Sequence, residues 1–99
     1  DKVEPNKKFK KPSLIEKKAL ENLIIKLSEI DQSLKPEEIQ TIVYSIGKEN
    51  GYEKNLRDWF KLIYEVVFGE ENGPRMGYFV SFFGLKETIE LMKDKIKNN

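Results

Sequence analysis

The sequence predicts an all-α protein, folded as a single small domain of about five helices. Its 99 residues are enough for one domain with an apolar core, and 38% of them are hydrophobic. Apolar residues recur three and four positions apart in several blocks, which is the spacing of one helix face. The alternating pattern of half-buried strands is missing. Residues 78–83 come nearest to it, but their flanking glycines and helical spacing favour a helix.

Residues 1–12 differ in composition from the rest of the chain. They contain five lysines, two acidic residues and two prolines, and show no helical spacing. We interpret them as a basic linker or arm, either solvated between domains or in contact with phosphate. The helical domain then covers residues 13–99. Because the chain begins with Asp1 rather than Met, we expect it to be a fragment of a longer polypeptide.

Composition excludes several kinds of chemistry. Cysteine and histidine are both absent, which rules out disulfides, zinc sites of the usual type and imidazole catalysis, so no metal site is expected. The net charge of +1 is lower than expected of a dedicated nucleic-acid-binding protein, although a local basic stripe is compatible with it. No apolar run is long enough for a membrane span and no signal peptide is visible, so we expect a cytoplasmic protein.

The first two helices have clear start signals. Ser13 and Glu16 have the spacing of a capping box, and the apolar face that follows consists of Ala19, Leu20, Leu23, Ile24, Leu27 and Ile30. After a break at residues 31–34, Pro36 suits the first position of a second helix. Its buried face is predicted to contain Ile39, Ile42, Val43 and Ile46, and Gly47 or Gly51 is expected to end it.

The last three helices are separated by glycines. Asn55 is a suitable N-cap for a third helix, which has a wide apolar face and ends at Gly69. Pro74 is predicted to begin a fourth helix, and Gly84 to end it. The inward residues of the fourth helix are predicted to be Met76, Phe79, Val80 and Phe83. A fifth helix follows, with Leu85, Ile89, Met92 and Ile96 inward.

Neither the glycines nor the paired acids indicate catalysis. Gly69, Gly73 and Gly77 lack the preceding strand and the following Lys-Thr pair of a phosphate-binding loop, so we assign them to a tight turn and a close helix approach. Residues 37–38 and 70–71 are adjacent glutamates that point in different directions on a helix, which favours solvated surface over a catalytic pair. No catalytic residue is predicted.

Arg75 is one of only two arginines and follows Pro74 in the predicted first turn of the fourth helix. A cation there opposes the helix dipole and needs a partner. Two kinds of partner are possible. One is an internal acid such as Glu70, Glu71 or Asp58, and the other is a phosphate or base edge, which suits the planar guanidinium.

The aromatic residues present a similar choice. Four lie on the periodic faces and are predicted to be core, namely Trp59, Phe60, Phe79 and Phe83. Four others are candidates for exposure, namely Tyr44, Tyr52, Tyr64 and Tyr78. Exposed aromatic rings beside cations can stack on unpaired RNA bases. The candidate nucleic-acid-binding residues are therefore a cluster of Tyr78 with Arg75 and Lys86, together with Arg57 and Lys61 on the third helix.

Residues 36–96 resemble the C-terminal end of class I lysyl-tRNA synthetases. The matching residues are Trp59-Phe60, Ile63-Tyr64, Gly69, Gly73-Pro74-Arg75, Gly77, Phe79 and Gly84, followed by a short terminal helix. In that family a helical region of the cage type grips the tRNA anticodon loop. The resemblance therefore implies recognition of a uridine-rich anticodon by stacking and polar contacts, in support of lysine attachment to its tRNA.

The resemblance also implies what this chain lacks. The family's ATP-using catalytic domain is a Rossmann-type fold near the N-terminus, and its two signature motifs are absent here. We therefore expect a non-catalytic part of an ATP-dependent ligase, with no cofactor of its own. Its expected partners are tRNA and the rest of the synthetase chain; we expect no membrane contact and a monomeric state.

Two alternatives remain at this level. One is a helical tRNA-binding tail of another translation enzyme, such as an aspartyl/glutamyl-tRNA amidotransferase. The other is a protein-interaction domain in which Arg75 and the tyrosines contact a protein.

Overall fold

The computed structural model describes residues 9–97 of the chain and confirms the all-α prediction. Within that range it contains no β-strand. The five α-helices, in chain order, are α1 (Leu14–Glu29), α2 (Pro36–Gly47), α3 (Leu56–Val67), α4 (Met76–Phe83) and α5 (Leu85–Lys97). The most extensive pairing is that of α2 with α4, while α1 packs against α5 and α2, and α3 and α4 also contact α5.

The predicted capping box at the start of α1 is present. The Glu16 backbone N–H donates to Ser13 Oγ (3.2 Å), and the Ser13 backbone N–H donates to Glu16 Oε1 (2.9 Å). Each side chain thus satisfies a backbone donor that the first turn leaves without a helical partner. The apolar face of α1 is also as predicted: five of its six residues are buried, and Ile30 packs at the edge of the core.

A turn that contains Gly51 follows the second helix. α2 ends at Gly47, and this π-helical turn, Lys48–Tyr52, comes directly after it. Gly51 has a φ of 97° in this turn, a conformation in which a side chain would be strained. Asn50 supports the turn, because its Nδ2 donates to the Ile46 carbonyl oxygen (2.7 Å) and its Oδ1 accepts from Asn22 Nδ2 (2.8 Å).

Trp59 anchors α3 against α2. Its side chain is fully buried, and its Nε1–H donates to the carbonyl oxygen of Val43 (2.9 Å). The indole lies directly on Gly47, where an added Cβ would be only 2.7 Å from Trp59 Cγ. The helix begins after Asn55, as predicted, but the Asn55 side chain donates to Asp58 Oδ2 (2.8 Å) instead of accepting a backbone hydrogen bond.

The start of α4 corrects the sequence prediction. The helix begins at Met76, not at Pro74, and Arg75 occupies the N-cap position in an extended conformation (φ −63°, ψ 127°). The Pro74 carbonyl oxygen accepts a hydrogen bond from Tyr64 Oη (2.8 Å) on α3, a tertiary contact that holds this residue in the loop. The predicted stops at Gly69 and Gly84 are confirmed, since both adopt positive φ values after their helices.

The core draws on all five helices. Its buried apolar residues are Ala19, Leu20, Leu23, Ile24, Leu27, Ile39, Val43, Ile46, Trp59, Leu62, Ile63, Val66, Val67, Met76, Val80, Ile89, Met92 and Ile96. Among the described residues, every buried side-chain nitrogen or oxygen has a hydrogen-bond partner. These hydrogen bonds offset the cost of removing the few internal polar groups of residues 9–97 from water.

Several burial predictions were wrong. Phe83 was predicted to be core but is 44% exposed at the end of α4, where its ring stacks on Phe79. Tyr52 and Tyr64 were predicted to be exposed but are half-buried against the core. Thr88 is completely buried although it lies off the predicted apolar face, and its Oγ1 donates to the Gly84 carbonyl oxygen (2.7 Å).

Most of the predicted basic arm, residues 1–8, lies outside the described residues. The last part of that segment contacts the helices. The Lys10 backbone N–H donates to the Glu65 carbonyl oxygen (2.9 Å), and its ammonium pairs with Glu16 (3.2 Å). The Phe9 ring lies 3.8 Å from Lys95 Nζ. None of the helices in residues 9–97 has the length and hydropathy needed to cross a membrane.

Candidate functional site

The candidate site is built where α2 and α4 approach each other closely at Gly77. An added Cβ at Gly77 would clash with the Pro36 carbonyl oxygen and lie 2.8 Å from the Gln40 backbone nitrogen. The Gly77 backbone N–H donates to Gln40 Oε1 (2.6 Å), and both residues are buried. The predicted role of Gly77 in a close helix approach is therefore confirmed, and the approach brings the N-terminal halves of the two helices side by side.

This approach brings Glu37, Arg75 and Tyr78 together in what we call the Arg75 cluster. Tyr78 Oη donates to Glu37 Oε2 (2.8 Å), which joins α4 to α2 across 41 positions of sequence. The Arg75 guanidinium carbon lies over the Tyr78 ring, 5.7 Å from its centroid, within the range of a cation–π contact. The predicted pairing of Arg75 with Tyr78 is therefore present.

The charges in the Arg75 cluster are fixed at neutral pH. The pKa of Glu37 is lowered, first by a hydrogen bond with its own backbone and then by the Tyr78 hydroxyl, with the positive charges of Lys35 and Arg75 adding to the effect. The pKa of Tyr78 is raised, first by its hydrogen bond to Glu37 and then by the negative charge of that carboxylate. The cluster therefore presents one carboxylate, one guanidinium and a protonated phenol. Sequence reasoning did not identify Glu37 as an acid near Arg75.

An aromatic cleft of about 300 Å³ opens beside the cluster, between α2, α3 and the Arg75 loop. Gln40, Tyr44, Phe60, Tyr64 and Arg75 line it. The Tyr44 and Phe60 rings meet edge to face, with centroids 5.1 Å apart. The cleft therefore combines aromatic surfaces, an amide and a cation, and such a lining can take a flat, hydrogen-bonding ring.

Gly73 allows the Tyr64 ring to occupy its place in this cleft. A Cβ at Gly73 would lie 2.7 Å from Tyr64 Cδ1. The Tyr64 hydroxyl is held by the Pro74 carbonyl oxygen, and burial raises the pKa of this phenol, with the nearby Tyr44 adding to the effect. Tyr64 is therefore a protonated, positioned wall of the cleft, and the Gly73-Pro74 pair sets that position.

The other predicted site residues lie elsewhere. Arg57 is exposed in the first turn of α3, and Lys61 is exposed one turn later. Lys61 lines a polar cleft of about 220 Å³ whose walls include the acids Glu16, Asp58 and Glu65, and these acids make it a poor phosphate site. Lys86 is exposed at the second position of α5, after Gly84. The structure thus brings Arg75 and Tyr78 into direct contact, and places the remaining three residues on other helices.

Sequence reasoning missed Phe82. Its side chain is 91% exposed, and it follows Tyr78 by four positions on the side of α4 opposite Met76 and Val80. The helical spacing from Tyr78 could have revealed it. The sequence analysis assigned the neighbouring Phe79 and Phe83 to the core and made no assignment for Phe82.

The comparisons with known proteins identify relatives of this chain. No family model and no solved structure matches it. The lysine–tRNA ligase of Rickettsia felis is 38% identical to it over 96 residues, which make up 97% of this chain and 18% of the relative. The lysine–tRNA ligases of Rickettsia bellii and Rickettsia akari are each 36% identical over 96 residues, with the same coverage. The chain spans 18% of the length of these relatives. It is therefore homologous, over nearly all of its length, to one segment of the lysine–tRNA ligases.

Proposed function

We propose that this chain is the tRNA-binding part of a class I lysine–tRNA ligase of the cytoplasm, and that it recognises the anticodon loop of the lysine-accepting tRNA. The observation that carries the proposal is the similarity of 97% of the chain to a segment of enzymes named lysine–tRNA ligase. The motif around Gly73-Pro74-Arg75 supports the choice of class I and of the anticodon. In this proposal, ATP and the catalytic residues belong to another part of the ligase.

The geometry of the site supports RNA as the partner. The aromatic cleft offers ring surface from Tyr44 and Phe60 for base contacts, and Arg75, which also lines it, offers a planar cation that suits either a phosphate or a base edge. Recognition of RNA sequence mostly uses unpaired loops, whose bases can turn outward onto such surfaces. An anticodon loop is RNA of this kind.

The near-neutral charge is compatible with a role in discrimination. A net charge of +1 provides little general attraction for phosphate, so stacking and polar contacts with bases would supply much of the affinity. In the proposed mechanism, phosphate contacts orient the loop and base contacts identify it. Docking the anticodon then places the distant acceptor end of the tRNA in the active site of the rest of the ligase.

The proposal is tested by measuring tRNA binding to this 99-residue chain by fluorescence anisotropy. The lysine-accepting tRNA is compared with the same tRNA carrying a changed anticodon, between about 50 and 200 mM salt. We expect the anticodon change to weaken binding about tenfold, because base contacts left unpaired cost free energy. Equal binding of both tRNAs, or no binding at the lowest salt, would contradict the proposal.

A further inference from the structure

We propose that Phe82 and Tyr78 form a stacking platform on the outer face of α4, and that this platform takes unpaired RNA bases next to the Arg75 cluster. The inference rests on the proposed function, which it extends to a residue outside the aromatic cleft. It names Phe82 as an RNA contact that neither the sequence motif nor the similarity to lysine–tRNA ligases identifies.

The exposure of Phe82 is the first observation. At 91% it is the most exposed of the large hydrophobic side chains in the described residues, ahead of Leu14 at 85% and Ile15 at 78%. Burying a phenylalanine normally stabilises a fold, and Phe82 contributes almost nothing of that kind. A single exposed apolar residue needs no explanation by itself. Phe82 differs from such residues in its neighbours on α4.

The arrangement along α4 is the second observation. Tyr78 and Phe82 are four positions apart in α4, which places them on successive turns of one helix side, and Arg75 precedes them at the N-cap. From Tyr78 to Phe82 the helix rises about 6 Å. The Tyr78 ring is held by the bond from its hydroxyl to Glu37 and by Arg75 above it. Leu14 and Ile15 have no such neighbours in sequence, since Lys11, Lys17 and Lys18 flank them without an aromatic ring.

This order of residues favours RNA bases over a protein surface. Aromatic rings in a row with a cation at one end are the elements that single-stranded nucleic acids use, since bases stack on rings and phosphates pair with cations. The platform is also small, with two rings on a helix about 12 Å long, whereas a specific protein partner usually covers about 800 Å² of accessible surface. The platform adjoins the cleft proposed to hold the anticodon loop, because Arg75 lines that cleft and also lies over the Tyr78 ring.

The test uses three substitutions at one exposed position, Phe82→Ala, Phe82→Leu and Phe82→Trp. The probe is an RNA hairpin whose loop carries the lysine anticodon, with 2-aminopurine at one unpaired position. Loss of one stacked base should weaken binding at least fivefold for Phe82→Ala. Phe82→Leu should lose as much affinity because it keeps bulk but not the ring, and Phe82→Trp should retain wild-type affinity. Stacking should also quench 2-aminopurine in the wild type and in Phe82→Trp, but not in the other two variants.

Leu14→Ala provides a matched control. It removes a side chain of nearly equal exposure from the start of α1, which belongs neither to the Arg75 cluster nor to the aromatic cleft, and should leave RNA binding unchanged. Neither Phe82→Ala nor Leu14→Ala should change the melting temperature appreciably, so a change in affinity cannot be attributed to unfolding.

The outcomes separate this inference from the proposed function. If the wild type binds the hairpin and Phe82→Ala binds equally well, the platform is refuted and the proposed function stands. If Phe82→Leu binds like the wild type while Phe82→Ala does not, the contact is apolar rather than stacking, and the inference is wrong. If the wild type does not bind the hairpin, both proposals fail.

Discussion

Gly77→Ala tests the close approach of α2 and α4 on which the candidate site depends. The substitution adds one methyl group where the nearest atoms belong to backbone, namely the Pro36 carbonyl oxygen and the Gln40 nitrogen at 2.8 Å. Backbone atoms of two packed helices cannot rotate away as a flexible side chain can. The helices must therefore separate, and the buried hydrogen bond from Gly77 N–H to Gln40 Oε1 (2.6 Å) must lengthen with them.

The size of the effect follows from three contributions. Overpacking of a core site costs about 1–3 kcal/mol. Loss of the buried Gly77–Gln40 hydrogen bond costs about 1–3 kcal/mol, because the donor is left without water or another partner. Alanine regains about 1 kcal/mol through its higher helix propensity. We therefore expect the free energy of unfolding to fall by about 1–5 kcal/mol, with a decrease of about 4 °C or more in melting temperature.

Urea unfolding followed by tryptophan fluorescence measures this change. Trp59 is the only tryptophan and is completely buried, so its emission reports the loss of the core directly. Ser81→Ala, at an exposed position of the same helix, is the control and should change stability by no more than about 0.5 kcal/mol. A Gly77→Ala variant as stable as the wild type, or stabilised by its helix propensity, would refute the claim that this contact is tight.

Two further predictions concern charged residues. Arg75→Ala should leave the free energy of unfolding nearly unchanged. It should reduce the slope of log affinity against log salt by about 0.7, as expected for one lost phosphate contact in a single strand. A large loss of stability with unchanged RNA affinity would instead show that Arg75 stabilises the fold and does not contact RNA. For Glu16, burial opposes ionisation, but hydrogen bonds from Ser13 and the charge of Lys10 outweigh it and lower the pKa below 4.5. Ionised Glu16 should therefore stabilise the fold above pH 4.5, and this stabilisation should disappear as the pH falls through the lowered pKa. On acidification, Glu16→Gln should lose less stability than the wild type. Identical acid-unfolding profiles of the two proteins would contradict this.

The positions of the helix ends were predictable because the signals are local. The Ser13–Glu16 capping box acts within one turn of helix, and the turns at Gly69 and Gly84 depend on φ values of single residues. The apolar faces of α1 and α5 were predictable for the same reason, since helical spacing alone decides which residues share a side. The start of α4 was not, because the hydrogen bond from Tyr64 to the Pro74 carbonyl oxygen crosses from another helix.

The candidate site was predictable only in part. The contact between Arg75 and Tyr78 joins residues three positions apart, and their spacing suggested it. Glu37 and Gln40 reach the same place from α2, and helical spacing within α4 carries no information about them. Phe83 was wrongly assigned to the core because it is the last residue of α4, where helical spacing does not show whether another helix covers a side chain. In the structure the Phe83 side chain is 44% exposed.

The sequence by itself determined an all-α domain, the limits of most of its helices and the residues that share each apolar face, because propensity, capping and periodicity act within a few neighbouring residues. Only the tertiary structure decided that Gly77 sets the separation of α2 and α4, that Tyr78 bonds to Glu37 and that the Phe82 side chain is exposed. Those features depend on how two helices far apart in sequence meet. Such a meeting is fixed by packing of the whole core and not by any local segment.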